Sequence, residues 1–309
     1  MLPLTPGTLF AGDFEIVRLL AEGGMGSVYV ALQRSTGKER ALKILQSSLA
    51  ADARVRERFE REARAGSQVD SEHVVEVVGA GIDAATGTPW LAMELLRGED
   101  LGTHIERRGP LPLPDALEVL RQLCHGLSAA HATGLVHRDL KPENVYLAAS
   151  RHVGVPFTVK LLDFGIAKVV RETRHDVTDA VGTPTWMAPE QTEAGRPISP
   201  ATDVWALGLI AYALLTARPY WRAANSPDSS AMAILREVVF EPMEPASVRS
   251  RDLGGPPLPD GFDAWFGRCL SRDPAGRFPH ARAALAALER ALGPAAVAET
   301  TSFVATGHG

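Results

Sequence analysis

Only two of the 309 residues are cysteine, Cys124 and Cys269. They fit neither a metal-ligand spacing nor a disulfide framework. A disulfide-stapled scaffold and a cysteine metal site are therefore excluded, and both thiols read as small packing residues in a reducing cytoplasm. Excess positive charge is missing too. The net charge of −5 and pI near 6.0 argue against a nucleic-acid binder and a basic membrane-surface protein. Met1 to Gly12 lacks a positive segment followed by an apolar core, so no signal peptide is read. The longest apolar run, Val204 to Leu215, is too short to span a bilayer and reads as a buried helix. No internal repeat is visible. These absences predict a soluble, cytoplasmic chain with no membrane segment of its own.

What is present is a core-forming composition, 45% hydrophobic, at a length that suits one large domain or two lobes sharing a cleft. From Phe14 to about Met93 the pattern is strand-like and broken by glycine. Strands are predicted over Phe14–Leu20, Ser27–Gln33, Arg40–Leu45, Val74–Gly81 and Trp90–Glu94, with a charged helix over Asp52–Val69. After Gly98 the pattern turns helical: Pro114–Thr133, Val204–Leu215, Met232–Val239, Phe262–Leu270 and His280–Leu292. The reading is α+β. It has a lead-in over 1–13, a sheet-rich lobe with one helix over 14–96, a helical lobe over 97–292 and a disordered tail over 293–309. The Pro- and Gly-rich stretch Asn225–Gly261 reads as loops around one short helix.

The most informative segment is His137-Arg138-Asp139-Leu140-Lys141-Pro142-Glu143-Asn144, followed nineteen residues after Asn144 by Asp163-Phe164-Gly165. Short apolar runs flank both, as in buried strands, and the polar residues between them read as a loop at a sheet edge. That loop offers a carboxylate, a lysine two residues on, and an Asn and a second Asp able to hold a divalent cation. These are the parts needed to move a phosphoryl group from a nucleotide. Upstream, Leu20-Ala21-Glu22-Gly23-Gly24-Met25-Gly26-Ser27-Val28-Tyr29 lies between two strands. Glycines there let the backbone approach phosphates, although alone the segment is equally a hairpin turn.

Together these segments resemble the eukaryotic-type (Hanks-type) serine/threonine protein kinases, most like bacterial members, over Phe14 to Leu292. The resemblance implies a two-lobe kinase fold, ATP with Mg²⁺ (or Mn²⁺), and transfer of the γ-phosphoryl group to Ser or Thr of protein substrates. It implies Asp139 as base, Lys141 as γ-phosphate ligand, Asn144 and Asp163 as metal ligands, and Lys43 on the α- and β-phosphates with Glu62 as its partner. Nucleotide contacts are expected from Ala21, Gly23, Gly26, Val28, Ala41 and Met93, from the backbones of Glu94 and Leu96, and from Asp100 and Tyr146. Ala21 and Tyr146 depart from the usual glycine and Leu or Met. Gly66 stands where an apolar residue usually stacks on the Phe after the metal Asp.

Thr183, in Gly182-Thr183-Pro184, is expected to form a Ser/Thr-selective floor. Glu190 is expected to pair with Arg277, and Asp203 to anchor the catalytic loop. Arg138 before the base implies activation by phosphorylation at Thr178, or next Thr173, received by Arg138, Arg58 and Lys168, with self-association for phosphorylation in trans. A pseudokinase scaffold is the alternative. Lys43, Glu62, Asp139, Asn144 and Asp163 are all present against it. A small-molecule kinase is disfavoured by Gly182-Thr183-Pro184 and Ala188-Pro189-Glu190.

Overall fold

The computed structural model describes residues 4–23, 26–45, 59, 63, 66–150, 155–164, 184–193 and 195–298, with side chains to 293. The chain divides into two compact units. One comprises Met1–Asp70, Val74–Arg97 and Asp163–Ala180; the other comprises Ser71–His73, Gly98–Leu162 and Val181–Gly309.

The first unit is built on an antiparallel sheet of β1 (Leu9–Phe10), β2 (Phe14–Gly23), β3 (Gly26–Gln33), β4 (Lys38–Leu45), β5 (Val77–Ile82) and β6 (Pro89–Glu94). The strand order is β1-β2-β3-β4-β6-β5. Alternation along the strands gives the sheet two unlike faces. Phe14, Ile16, Tyr29, Leu42, Ile44 and Ala92 form a buried apolar cluster on one. On the other, Val28 lies opposite Lys43 and Lys43 opposite Leu91, while Ala41 lies opposite both Val30 and Met93. Residues two apart share a face, so Val28, Ala41, Lys43 and Met93 are presented together. Strand β5 begins at Val77, three residues later than its sequence pattern predicts; Val74 makes an isolated bridge, and both it and Val75 are buried ahead of the strand. Of the helix expected over Asp52–Val69, the described residues 59, 63, 66 and 67 are helical.

The second unit carries a small sheet, β7 (Gly98–Asp100), β8 (Val145–Ala149) and β9 (Phe157–Leu161), in the order β7-β8-β9. Seven α-helices lie in it among the described residues: α1 (Leu101–Arg108), α2 (Leu113–Ala132), α3 (Pro200–Thr216), α4 (Ala231–Val239), α5 (Ala246–Asp252), α6 (Phe262–Cys269) and α7 (Ala281–Ala298). Helix α3 is buried from Ala201 to Thr216, on every face, which is why its sequence shows no amphipathic period. Pro200 at its first position has no N–H to leave unpaired. Trp205 stacks on Trp221 beside it, and the Trp221 indole donates to the Thr185 carbonyl at 2.7 Å.

Two helices depart from expectation. Helix α1 begins at Asp100, whose carboxylate accepts from the Thr103 N–H at 2.9 Å and its hydroxyl at 2.7 Å. This side chain cap starts a short helix that periodicity alone did not show. Helix α5 lies in the stretch read as loops, and ends in Leu253 and Gly254, the latter at φ 70°. The expected disordered tail is also corrected in part. Gly293, at φ 77°, breaks α7, but the backbone of 294–298 is helical again.

Candidate active site

In the first unit, β2 and β3 close on each other where Gly23 lies opposite Gly26. Gly26 has φ 146°, and a Cβ built on it would stand 2.1 Å from the Ile44 carbonyl oxygen. Only glycine fits that approach of two strands. Beyond it, on the same sheet, Lys43 is buried and its Nζ lies 2.6 Å from Asp163 Oδ1. Asp163 has φ 58°, a left-handed conformation seldom adopted by a residue with a side chain. Lys43 was expected to pair with Glu62. Among the described residues its partner is Asp163; Glu62 lies outside them.

A small apolar cavity of about 20 Å³ is lined by Asp163 and Phe164 together with Ala63, Gly66, Val77, Leu91 and Met93. An added Cβ at Gly66 would meet nothing within 4 Å. The gap that the sequence places at Gly66 is therefore a physical void beside Phe164. Met93 is buried, and the Glu94 N–H is committed to the Glu76 carbonyl at 3.0 Å.

In the second unit, the loop before β8 is held from several sides. Asp203 of α3, 1% exposed, accepts from the His137 N–H at 2.9 Å, the Arg138 N–H at 3.0 Å and His131 Nε2 at 2.7 Å. Three donors satisfy a carboxylate that burial would otherwise penalise. Arg138, at φ 66°, is bent into the left-handed region between these bonds and Asp139. Asn144 Nδ2 donates to the Asp139 carbonyl at 2.7 Å and to Asp139 Oδ2 at 3.1 Å. With Nδ2 on Asp139, the amide oxygen Oδ1 is the Asn144 atom that could hold a hard cation. Lys141 Nζ is 3.6 Å from Asp139 Oδ2. The local chemistry is thus a base-competent carboxylate, a partner ammonium, and an amide that fixes the carboxylate's rotamer.

The segment after the Thr183 motif is anchored as firmly. Arg277 donates to both Glu190 oxygens at 2.7 Å, and the two side chains are almost wholly buried. Thr202 Oγ1 donates to Glu190 as well, at 2.8 Å. Burial pushes the Glu190 carboxyl up, but the hydrogen bonds and charge of Arg277 outweigh it and hold the pKa below the ordinary value. One residue on, Gln191 accepts from the Ala188 N–H at 3.0 Å and donates to the Arg138 carbonyl at 2.7 Å.

A model of the protein kinase domain matches residues 14–286. This chain belongs to the protein kinase family. Among curated relatives, serine/threonine-protein kinase Pkn1 of Myxococcus xanthus is 38% identical over 91% of the chain. Serine/threonine-protein kinase PknA of Mycobacterium tuberculosis (strain H37Rv) is 34% identical over 88%. The chain spans 38% of the first relative's length and 59% of the second's. The crystal structure of the Mycobacterium tuberculosis PknI kinase domain is 28% identical, with a TM-score of 0.71 over 93% of this chain and 98% of that one. The fold is accordingly the protein kinase fold, an antiparallel N-terminal sheet followed by a helical C-terminal part.

The kinase residues named from sequence divide between the two units. Lys43, Asp163, Val28, Ala41, Met93, Gly23 and Gly26 lie in the first; Asp139, Lys141, Asn144, Asp203, Glu190 and Arg277 lie in the second. Ala21 lies opposite Val28. Asp100 caps α1 with both carboxylate oxygens, and Tyr146 Oη donates to the Gly98 carbonyl at 2.7 Å. Burial, then Asp100 and Glu99, raise the Tyr146 pKa, so that hydroxyl stays protonated. Arg58, Glu62, Lys168, Thr173, Thr178 and Thr183 lie outside the described residues. Sequence reasoning missed His131, Thr202 and Gln191. His131 falls six residues before His137 and carried no signal beyond its polarity in an apolar helix end.

Proposed function

We propose that the chain is a serine/threonine protein kinase domain that transfers the γ-phosphoryl group of ATP to Ser or Thr hydroxyls of proteins, its own loop included. The observation that carries the reading is the fixed Asp139 carboxylate, pinned by Asn144 on a loop tied to Asp203. A carboxylate so held can orient an incoming hydroxyl and take its proton, while Lys141 offers positive charge to the transferring oxygens. Lys43, now against Asp163, is the cation for the inner phosphates. The amide oxygen of Asn144 and the carboxylate of Asp163 are hard oxygen donors that suit Mg²⁺ or Mn²⁺. When bound, that ion neutralises charge on the phosphate oxygens.

On this reading Thr183 lines the acceptor site. Thr178, with Thr173 next, receives a phosphate that Arg138, Arg58 and Lys168 bind, and a second copy of the chain delivers it. The family likeness and the kinase names of the relatives support the reaction class. The net charge of −5 leaves no reason to add a nucleic-acid partner. Among the described residues no helix is long and apolar enough to cross a membrane, which fits the proposed cytoplasmic site of action.

The test is transfer from Mg-ATP to peptide pools bearing Ser, Thr or Tyr, beside small-molecule hydroxyl acceptors. Preference for Ser and Thr peptides, abolished by Asp139→Asn, is expected. Preference for small molecules would refute protein-substrate specificity.

A further inference from the structure

The peptide plane that joins Arg138 to Asp139 is held at both ends. Its oxygen, the Arg138 carbonyl, accepts from Gln191 Nε2 at 2.7 Å; its N–H, that of Asp139, points to His137 Nδ1 at 3.3 Å. The preceding plane is fixed through the Arg138 N–H on Asp203 Oδ1 at 3.0 Å. Between the two planes sits Arg138 at φ 66°, a conformation that relaxes unless its surroundings impose it. Because a peptide unit is rigid, holding its oxygen fixes the direction in which the Asp139 Cα leaves it.

Gln191 can impose this because it is itself held. Its Oε1 accepts from the Ala188 N–H at 3.0 Å, and its own N–H donates to the Ala188 carbonyl at 2.9 Å. Glu190 beside it is locked on Arg277 and Thr202. The amide therefore bridges two rigid bodies: the 188–191 turn, anchored on Arg277, and the loop carrying Asp139.

We propose that Gln191 is a positioning residue for the phosphoryl-transfer reaction, setting the 138–139 peptide plane and through it the Asp139 carboxylate. The inference rests on the function proposed above. It assigns Gln191 a role in kcat rather than in nucleotide affinity, since the bond lies on the base side of the loop. An amide is required: the position must accept from Ala188 and donate to Arg138 at once.

Two variants separate these bonds. Gln191→Glu keeps an acceptor for Ala188 but faces the Arg138 carbonyl with an oxygen that donates only when protonated; Gln191→Met removes both bonds at similar length. For each, kcat and KM for ATP and peptide would be measured from pH 5.5 to 8.5, with hydrogen exchange of peptides spanning 137–140. Expected is a fall in kcat on the order of 10- to 100-fold, the scale of a misplaced catalytic group. KM for ATP should stay within about twofold and exchange at 137–140 should quicken. The Gln191→Glu deficit should shrink as pH falls, because the protonated carboxyl regains the donor.

A Gln191→Glu kcat within about twofold of wild type, or unchanged exchange at 137–140, overturns the proposal. Should Gln191→Met not fold, Gln191→Glu decides. Wild type without Asp139-dependent transfer would remove the proposed function instead. The role of Gln191 in transfer would fall with it, and quickened exchange would then show only that the amide orders the 137–140 loop.

Discussion

Asp139 and Lys43 are held by different kinds of contact, and their variants should fail differently. Asp139 is fixed by neutral donors from Asn144, with the Lys141 ammonium farther off at 3.6 Å, so Asp139→Asn preserves the loop while removing the base. Turnover should fall by about 10²- to 10⁴-fold with ATP binding retained, measured by steady-state transfer and nucleotide titration. Lys43 is buried against Asp163 at 2.6 Å. Lys43→Met leaves that carboxylate without its cation and the inner phosphates without theirs. Loss of charged hydrogen bonds predicts a drop in kcat/KM of about 10- to 100-fold, part of it in KM for ATP. Residues of this type could be named from the sequence because their identity and order single them out. Gln191 was not legible, since its role depends on two backbone groups, Ala188 N–H and Arg138 C=O, that no side-chain pattern encodes. Asp100, named from sequence as a nucleotide contact, also caps a helix N-terminus with both carboxylate oxygens, a role that only geometry shows.

At the scale of elements, two contacts make opposite predictions about stability. Gly66 is a helical residue beside an apolar void, and an added methyl there meets nothing within 4 Å. Gly66→Ala should therefore stabilise by about 0.5–1 kcal/mol from helix propensity, seen as a melting shift of a few degrees. The Glu190–Arg277 pair is the reverse case. Arg277→Gln strands a buried carboxylate and should destabilise by about 3–5 kcal/mol at pH 7 in chemical denaturation. The Glu190 pKa is lowered on folding, so its contribution is complete above the ordinary carboxylate value of 4.5 and is lost as pH falls below it. Wild-type stability should thus fall more steeply than that of Arg277→Gln on acidification below that value. Long elements with clear periods, such as β3, β4 and α2, were readable from sequence. Helices α1 and α5 were not: α1 starts from the Asp100 side-chain cap rather than from an apolar period, and the seven residues of α5 sit among Pro and Gly.

For the molecule as a whole, the residues assigned to the reaction belong to two units, with Lys43 and Asp163 in one and Asp139, Lys141 and Asn144 in the other. The chain also spans only 38% of the length of Pkn1 and 59% of that of PknA. Its activity is therefore best tested on the chain itself. The most direct measurement is mass spectrometry of the purified chain after incubation with Mg-ATP, beside Asp139→Asn. The account predicts phosphate on Thr or Ser in wild type, Thr178 or Thr173 foremost, and none in the variant. Equal phosphate in both proteins, or nucleotide binding with no incorporation in wild type and no transfer to added peptides, would contradict it.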